Sequence, residues 1–274
     1  MKFAMKTLIA AAAFTAAGMA SAASATLNAG ATLAVPGYTL SDLTGSGTLT
    51  FSTTLIGALN AGKVTVSGIA PATATVVNKT NAATGVVSIS SASAAAPVTS
   101  LTGDLVGNTL TVTNVGTAGG AFQNAAVKNI ATNTGSLSIT NLNVDLVNKK
   151  VFADLVGGNG VGSLSQVYLW DIVNPIVGST TFTLPAAGGV MSSTNTISGL
   201  KITTASFDLF AQSMGLTANG ITSLKTVTDF GTIVSTISAK ATVATTPAVP
   251  EPSTYALMGL GLVGMSLVAR RRAK

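Results

Sequence analysis

The chain is 274 residues long, 8% charged and 47% apolar, with neither cysteine nor histidine. Low charge beside high apolar content excludes a solvated disordered chain, and this length can bury an adequate core without disulfides. A pI near 9.7 would suit a nucleic-acid binder, but six of the 14 basic residues (Lys2, Lys6, Arg270, Arg271, Arg272, Lys274) sit at the two ends. The eight lysines between them face seven aspartates, which leaves no clustered basic patch and excludes nucleic acid as a partner.

In chain order, the first element is a secretion signal over residues 1–25. Lys2 and Lys6 form a positive start, Leu8 to Met19 an apolar run, and small residues follow at signal-peptidase spacing. Ala20-Ser21-Ala22 and Ala23-Ser24-Ala25 both fit that spacing, so cleavage falls after Ala22 or after Ala25. The run is too short for an ordinary transmembrane helix. The partners implied are the Sec translocon and signal peptidase.

Residues 26–240 read as one β-rich extracellular domain. Thr, Val and Ile favour pleated sheet, and the many Gly and Asn supply turns. Strand-like runs cover Thr48 to Thr53, Lys63 to Ile69, Thr73 to Val77, Val86 to Ser90, Ser179 to Leu184 and Ile233 to Ser238. Only Ala205 to Leu216 has a helical pattern, which Gly215 would end. One repeat stands out: Val98 to Val106 (VTSLTGDLV) matches Ile139 to Val147 (ITNLNVDLV), and a third, partial copy runs from Ile202-Thr203 to Asp208-Leu209. Each full copy opens a β-hairpin with a two-residue turn. In the second, a turn at Asn148-Lys149 sets Leu146 opposite Val151, Val144 opposite Ala153 and Leu142 opposite Leu155, all on one face. Asn143, Asp145, Phe152 and Asp154 then occupy the other. In the first, Leu105 faces Leu110 and Gly103 faces Val112. Short strands between turn residues predict an all-β body, a sandwich or barrel built from hairpins. A β-solenoid is the alternative, weakened by a period that recurs only two or three times.

The inventory for chemistry is thin. With no histidine, no cysteine and a single glutamate, Glu251, the chain lacks the usual general base, a Ser-His-Asp triad and imidazole or thiolate metal sites. No enzymatic activity, cofactor or metal is expected. Asp145 and Asp154 would lie diagonally on the polar face of the second hairpin, yet nothing in the sequence raises either pKa as a catalytic acid requires. Tyr168 and Trp170, the only tryptophan, share a face of a strand by alternation. Exposed, such a pair would stack on sugar rings and give a carbohydrate- or surface-binding module; buried, the tryptophan is core.

Ala241 to Val249 is a Thr/Ala/Pro linker, and Pro250 and Pro252 stop β-pairing beyond it. Tyr255 to Ala269 is apolar and small, and Arg270, Arg271 and Arg272 follow. Fifteen helical residues span about 22 Å, short of the roughly 30 Å hydrocarbon core. The arginines remain cytoplasmic under the positive-inside rule. This is a short transmembrane helix with a membrane-stop cluster.

Val249-Pro250-Glu251-Pro252-Ser253-Thr254, then Gly259-Leu260-Gly261-Leu262 and the three arginines, resembles the PEP-CTERM sorting signal. The resemblance covers residues 249–274 only. It implies an exosortase as partner, an inner-membrane-anchored precursor in a Gram-negative bacterium, and cleavage near Pro-Glu-Pro. Release or attachment at the cell surface would follow, together with association with exopolysaccharide or biofilm matrix. The body itself resembles no family.

Overall fold

A computed structural model describes residues 23–125, 131 and 134–244. The expected signal helix with Ala22, the end of the linker, Val249 to Thr254, the transmembrane helix and Arg270 to Arg272 lie outside the described residues. Among the described residues sixteen strands and three helices follow in order. The first half comprises β1 (Ala23–Asn28), β2 (Leu33–Val35), β3 (Tyr38–Phe51), α1 (Thr53–Ala61), β4 (Thr65–Ile69), β5 (Thr73–Thr80), β6 (Val87–Val106), β7 (Thr109–Thr117) and β8 (Gly120–Ala125). Then come β9 (Gly135–Asp145), β10 (Lys150–Gly157), β11 (Gly162–Ile172), β12 (Val177–Gly178), β13 (Thr181–Thr183), β14 (Gly189–Ile197), β15 (Leu200–Ile202), α2 (Thr204–Ser213), α3 (Ala218–Lys225) and β16 (Gly231–Val243).

The strands form one antiparallel sheet in the order β12-β14-β16-β3-β6-β7-β9-β10-β11-β15, with shorter strands paired alongside. The sheet does not close, so no barrel forms, and antiparallel pairing throughout the described strands replaces the parallel coils of a solenoid. What forms is a sandwich. Leu40, Leu43, Met191, Ile237 and Ala239, from β3, β14 and β16, share one core with Val98, Leu101, Leu110, Val112 and Phe182, from β6, β7 and β13. The strands β14, β16, β3, β6 and β7 are consecutive in that order, so this core lies inside a strongly bent stretch. Ile197 of β14 and Trp170 of β11, near opposite ends of the order, share a core too, so the sheet has folded over to bury one half against the other. A second core joins Phe51, Ile89, Ile197 and Ile233 to Leu137, Val151, Leu155, Trp170 and Phe210.

Strand β6 makes the turn between the halves. Its first part pairs with β3 and β5, its last with β1 and β7, and the register shifts between Val98 and Ser100, next to Pro97. A proline cannot donate to the ladder and sits where pairing changes partner. By contrast, β16 is regular: Ile233, Ser235, Ile237, Ala239 and Ala241 point inward in unbroken alternation.

Two helices, α1 and α3, were not legible as helices in the sequence, whereas α2 overlaps the expected segment, starting one residue before Ala205 and stopping at Ser213, short of Leu216. All three are short, and each begins at a hydroxyl cap: Leu55 N donates to Ser52 Oγ at 3.1 Å, Ser206 N to Thr203 Oγ1 at 3.2 Å and Gly220 N to Thr217 Oγ1 at 3.2 Å. Such caps satisfy backbone donors that a helix start leaves open.

A small cavity of about 30 Å³ between β3, β14 and β16 on one side and β7, β9 and β13 on the other is lined in part by Asn195 and Ser235, which pair across β14 and β16. Asn195 Oδ1 and Ser235 Oγ have no partner among the described residues. A buried hydroxyl without a partner costs stability that a methyl group does not. Ser235→Val should therefore raise stability by about 1 kcal/mol, read as a higher urea midpoint at unchanged slope; a lower midpoint would show that the hydroxyl is satisfied.

Candidate functional site

The two repeat hairpins lie side by side, joined by Asn114↔Asp145, Val115↔Val144 and Gly116↔Asn143. The first forms as expected, with Leu105 opposite Leu110 and Gly103 opposite Val112. The second keeps the expected faces but not the expected register. Lys150 pairs with Asp145 and Val151 with Val144, while Leu155 lies opposite Ile139 rather than Leu142. The turn is four residues long because Asp145 Oδ1 accepts from Val147 N at 3.1 Å and Asn148 N at 2.8 Å, and Oδ2 from Asn148 Nδ2 at 2.8 Å. A slip of two residues leaves each side chain on its own face. The partial third copy is no hairpin: it falls on the end of β15 and on α2.

Two bulges shape the outer surface around β10. In β9 the register shifts at Asn141, whose φ is 53°, and in β11 it shifts near Gln166, with φ 48°. Asp154, between them on β10, fastens both. One oxygen accepts from Asn141 Nδ2 at 2.8 Å. The other accepts from Gln166 N at 2.9 Å, Ser165 Oγ at 3.0 Å and Gln166 Nε2 at 3.1 Å. The Asn141 bond, helped by those from Gln166 and Ser165 and opposed by partial desolvation, lowers the Asp154 pKa from 3.8 to about 2. A carboxyl held this firmly ionised is the reverse of a catalytic acid. Asp145 is likewise committed to its turn.

A further irregularity in β11 decides the aromatic residues. Val151 pairs with Trp170 and Phe152 with Tyr168, which leaves Leu169 as an extra residue. The expected shared face of Tyr168 and Trp170 is therefore lost: the bulge turns Leu169 and Trp170 both inward, 0% and 2% exposed. Trp170 packs on Phe230 with ring centroids 6.1 Å apart, and Phe210 meets Phe230 edge-on at 5.9 Å.

Tyr168 stays on the outer face, half-buried, and its aromatic neighbour there is Phe152, at 5.3 Å between centroids. Lys150 Nζ lies 4.8 Å from the centre of the Tyr168 ring, and the Tyr168 hydroxyl donates to Asp171 Oδ1. Burial first, then the Asp171 carboxylate, pushes the Tyr168 pKa up to about 12. Beside this pair, Asn114, Asp145, Lys150, Asp171 and Lys201 follow one another across five strands as direct cross-strand neighbours. Opposite charges alternate along that row, which favours the pairing. Phe152 was legible as an aromatic on a polar face; its partnership with Tyr168 was not. The outward side of β3, β14 and β16 differs in kind, with Thr44, Ser46, Thr50, Ser192, Thr194 and Thr236 exposed.

Among the described residues no group of three or more His, Cys, Asp or Glu side chains is placed to hold a metal ion, and no helix is long and apolar enough to cross a membrane. The outer face of β9, β10 and β11 offers aromatic surface, amides and paired charges. Beyond the body, the family model described as the PEP-CTERM protein-sorting motif matches residues 248–272. The chain carries a PEP-CTERM sorting tail. The motif implies processing by an exosortase and a secreted protein that is anchored in the membrane before processing. No curated protein and no solved structure matches the chain.

Proposed function

We propose that this is a non-enzymatic protein of the cell surface or extracellular matrix, exported through the Sec route, sorted by an exosortase and associated with exopolysaccharide or biofilm. The sorting motif at residues 248–272 carries this reading. The absence of histidine and cysteine from the sequence, and the structural commitments of Asp145 and Asp154, support a role without catalysis. Of the two candidate sites, cleavage after Ala22 is the one proposed, because cleavage after Ala25 would remove Ala23, Ser24 and Ala25, which pair with Leu105, Asp104 and Gly103.

The test is intact mass and N-terminal sequencing of the protein from its native host, with cells and medium separated. The expected product begins at Ala23, lacks the chain beyond the Pro-Glu-Pro element and is found outside the inner membrane. Changing Pro250, Glu251 and Pro252 to alanine should leave the tail on and the protein in the membrane. Normal processing of that variant would overturn the sorting assignment.

The half-exposed Phe152–Tyr168 pair favours a second reading, a module that holds polysaccharide on the outer face of β9, β10 and β11. Aromatic rings stack on the apolar faces of sugars while amides such as Asn114 and Asn143 bond to hydroxyls. Phe152→Ala should reduce retention on the host's own exopolysaccharide at least fivefold in a pull-down. Equal retention by the folded variant would remove this reading and leave the sorting assignment untouched.

A further inference from the structure

An open groove of about 570 Å³ lies at the edge of the sheet, beside β15, the start of α2 and the end of α3. Ile202, Phe207 and Leu224 line it half-buried, Val173 stands 61% exposed, and Lys201 and Lys225 are exposed at it. We propose that this groove, together with the adjoining row on β10 and β11, binds an acidic polysaccharide, one that bears carboxylates on its sugar rings. The proposal rests on the polysaccharide reading of the outer face and adds to it the charge of the ligand.

Three observations carry it. The first is charge. Asp229 is the acid in the groove lining, and its Oδ1 accepts from Leu200 N at 3.1 Å and Gly231 N at 2.9 Å, so the carboxylate holds backbone. Lys201 and Lys225 have no ion-pair partner among the described residues, and two unpaired ammonium groups on one groove select an anion. The second is the rest of the lining. A small inorganic anion would use the lysines alone, whereas a sugar acid uses the whole groove. Val173, Ile202 and Phe207 suit the apolar faces of its rings, and the exposed Asn174 and Thr228 suit its hydroxyls. The third is continuity. Lys201 lines the groove and is also the neighbour of Asp171 in the row, with Lys150 on the other side of Asp171. At about 4.8 Å per strand, Lys150 and Lys201 lie about 10 Å apart across the sheet. Lys150, Lys201 and Lys225 thus lead from the Phe152–Tyr168 pair into the groove, and Asp171 between the first two accepts the Tyr168 hydroxyl. Cations repeated along a track of this length fit a polymer whose carboxylates also repeat.

The test is calorimetric binding of the processed protein, isolated from its host, to polygalacturonate and to the same polymer with its carboxylates methyl-esterified. Polygalacturonate should bind at least tenfold more tightly, and Lys201→Gln with Lys225→Gln should lower that affinity at least fivefold. Lys63→Gln with Lys79→Gln, a change of equal charge at exposed lysines outside the groove and the row, should leave it within twofold. Equal loss in the two double variants, or equal affinity for polyglutamate or duplex DNA, would overturn the proposal, since net charge alone would then explain the binding. Equal binding of both polymer forms would remove the charge assignment and keep the polysaccharide reading. Binding of neither form would also overturn the proposal, and the Phe152→Ala pull-down decides separately whether the outer-face reading stands.

Discussion

Trp170→Ala is expected to lower the stability of the body by about 3–5 kcal/mol, a large share of the roughly 5–15 kcal/mol that holds a domain of this kind together. The indole is one of the largest fully buried side chains, and it joins β11 to the Phe210 and Phe230 rings. Truncation removes its contacts and enlarges a cavity that already measures about 90 Å³, so the surroundings have little to collapse onto. Trp170→Phe should cost far less, about 1 kcal/mol. It keeps an aromatic ring in place and deletes an N–H that has no partner among the described residues. The measurement is the denaturant midpoint of both variants. Similar losses in the two would show that the N–H, and not the ring volume, holds the site together.

Asp154 supplies the second large effect. Asp154→Ala removes the acceptor for Asn141, Ser165 and Gln166, and the two bulges it fastens lose their common anchor. Water replaces part of each bond at this half-buried position, so the expected loss is about 2 kcal/mol. The pH dependence follows from the lowered pKa, from 3.8 to about 2. Above the ordinary value the group is ionised in both folded and unfolded chains, and its contribution is complete. As the pH falls from about 4 to about 2, the unfolded chain takes up the proton first and the contribution is lost. Wild type should therefore lose more stability over that window than Asp154→Asn does. Parallel losses would assign the acid sensitivity to other carboxylates. Tyr168 gives the mirror case: its pKa, raised from 10.0 to about 12, makes its contribution complete below pH 10 and lost as the pH rises toward 12.

The faces of the second hairpin were legible because alternation survives a slip of two residues, as Val144 and Val151 show. Its register was not, since Asp145 spends its carboxylate on the turn and lengthens it. The first hairpin kept a two-residue turn because Gly107, at φ 60°, takes the left-handed conformation without strain. Helices α1 and α3 escaped notice for a different reason. Their starting signals, Ser52 and Thr217, are residues this chain uses everywhere, so a hydroxyl cap carries little information until the strands around it are placed.

By itself the sequence determined the β character of the body, the turn of the first repeat hairpin, the inward and outward faces of both repeat hairpins and the sorting motif. All of these depend on short-range pattern: alternation every second residue, turn chemistry and a contiguous motif. Only the tertiary structure decided that the sheet folds over as an open sandwich, that Trp170 turns inward while Tyr168 pairs with Phe152 outside, and that an apolar cavity remains among the helices. A single extra residue at Leu169 inverts the parity of everything beyond it. Such a residue has no signature of its own, because the bulge exists only relative to a neighbouring strand that lies elsewhere in the chain.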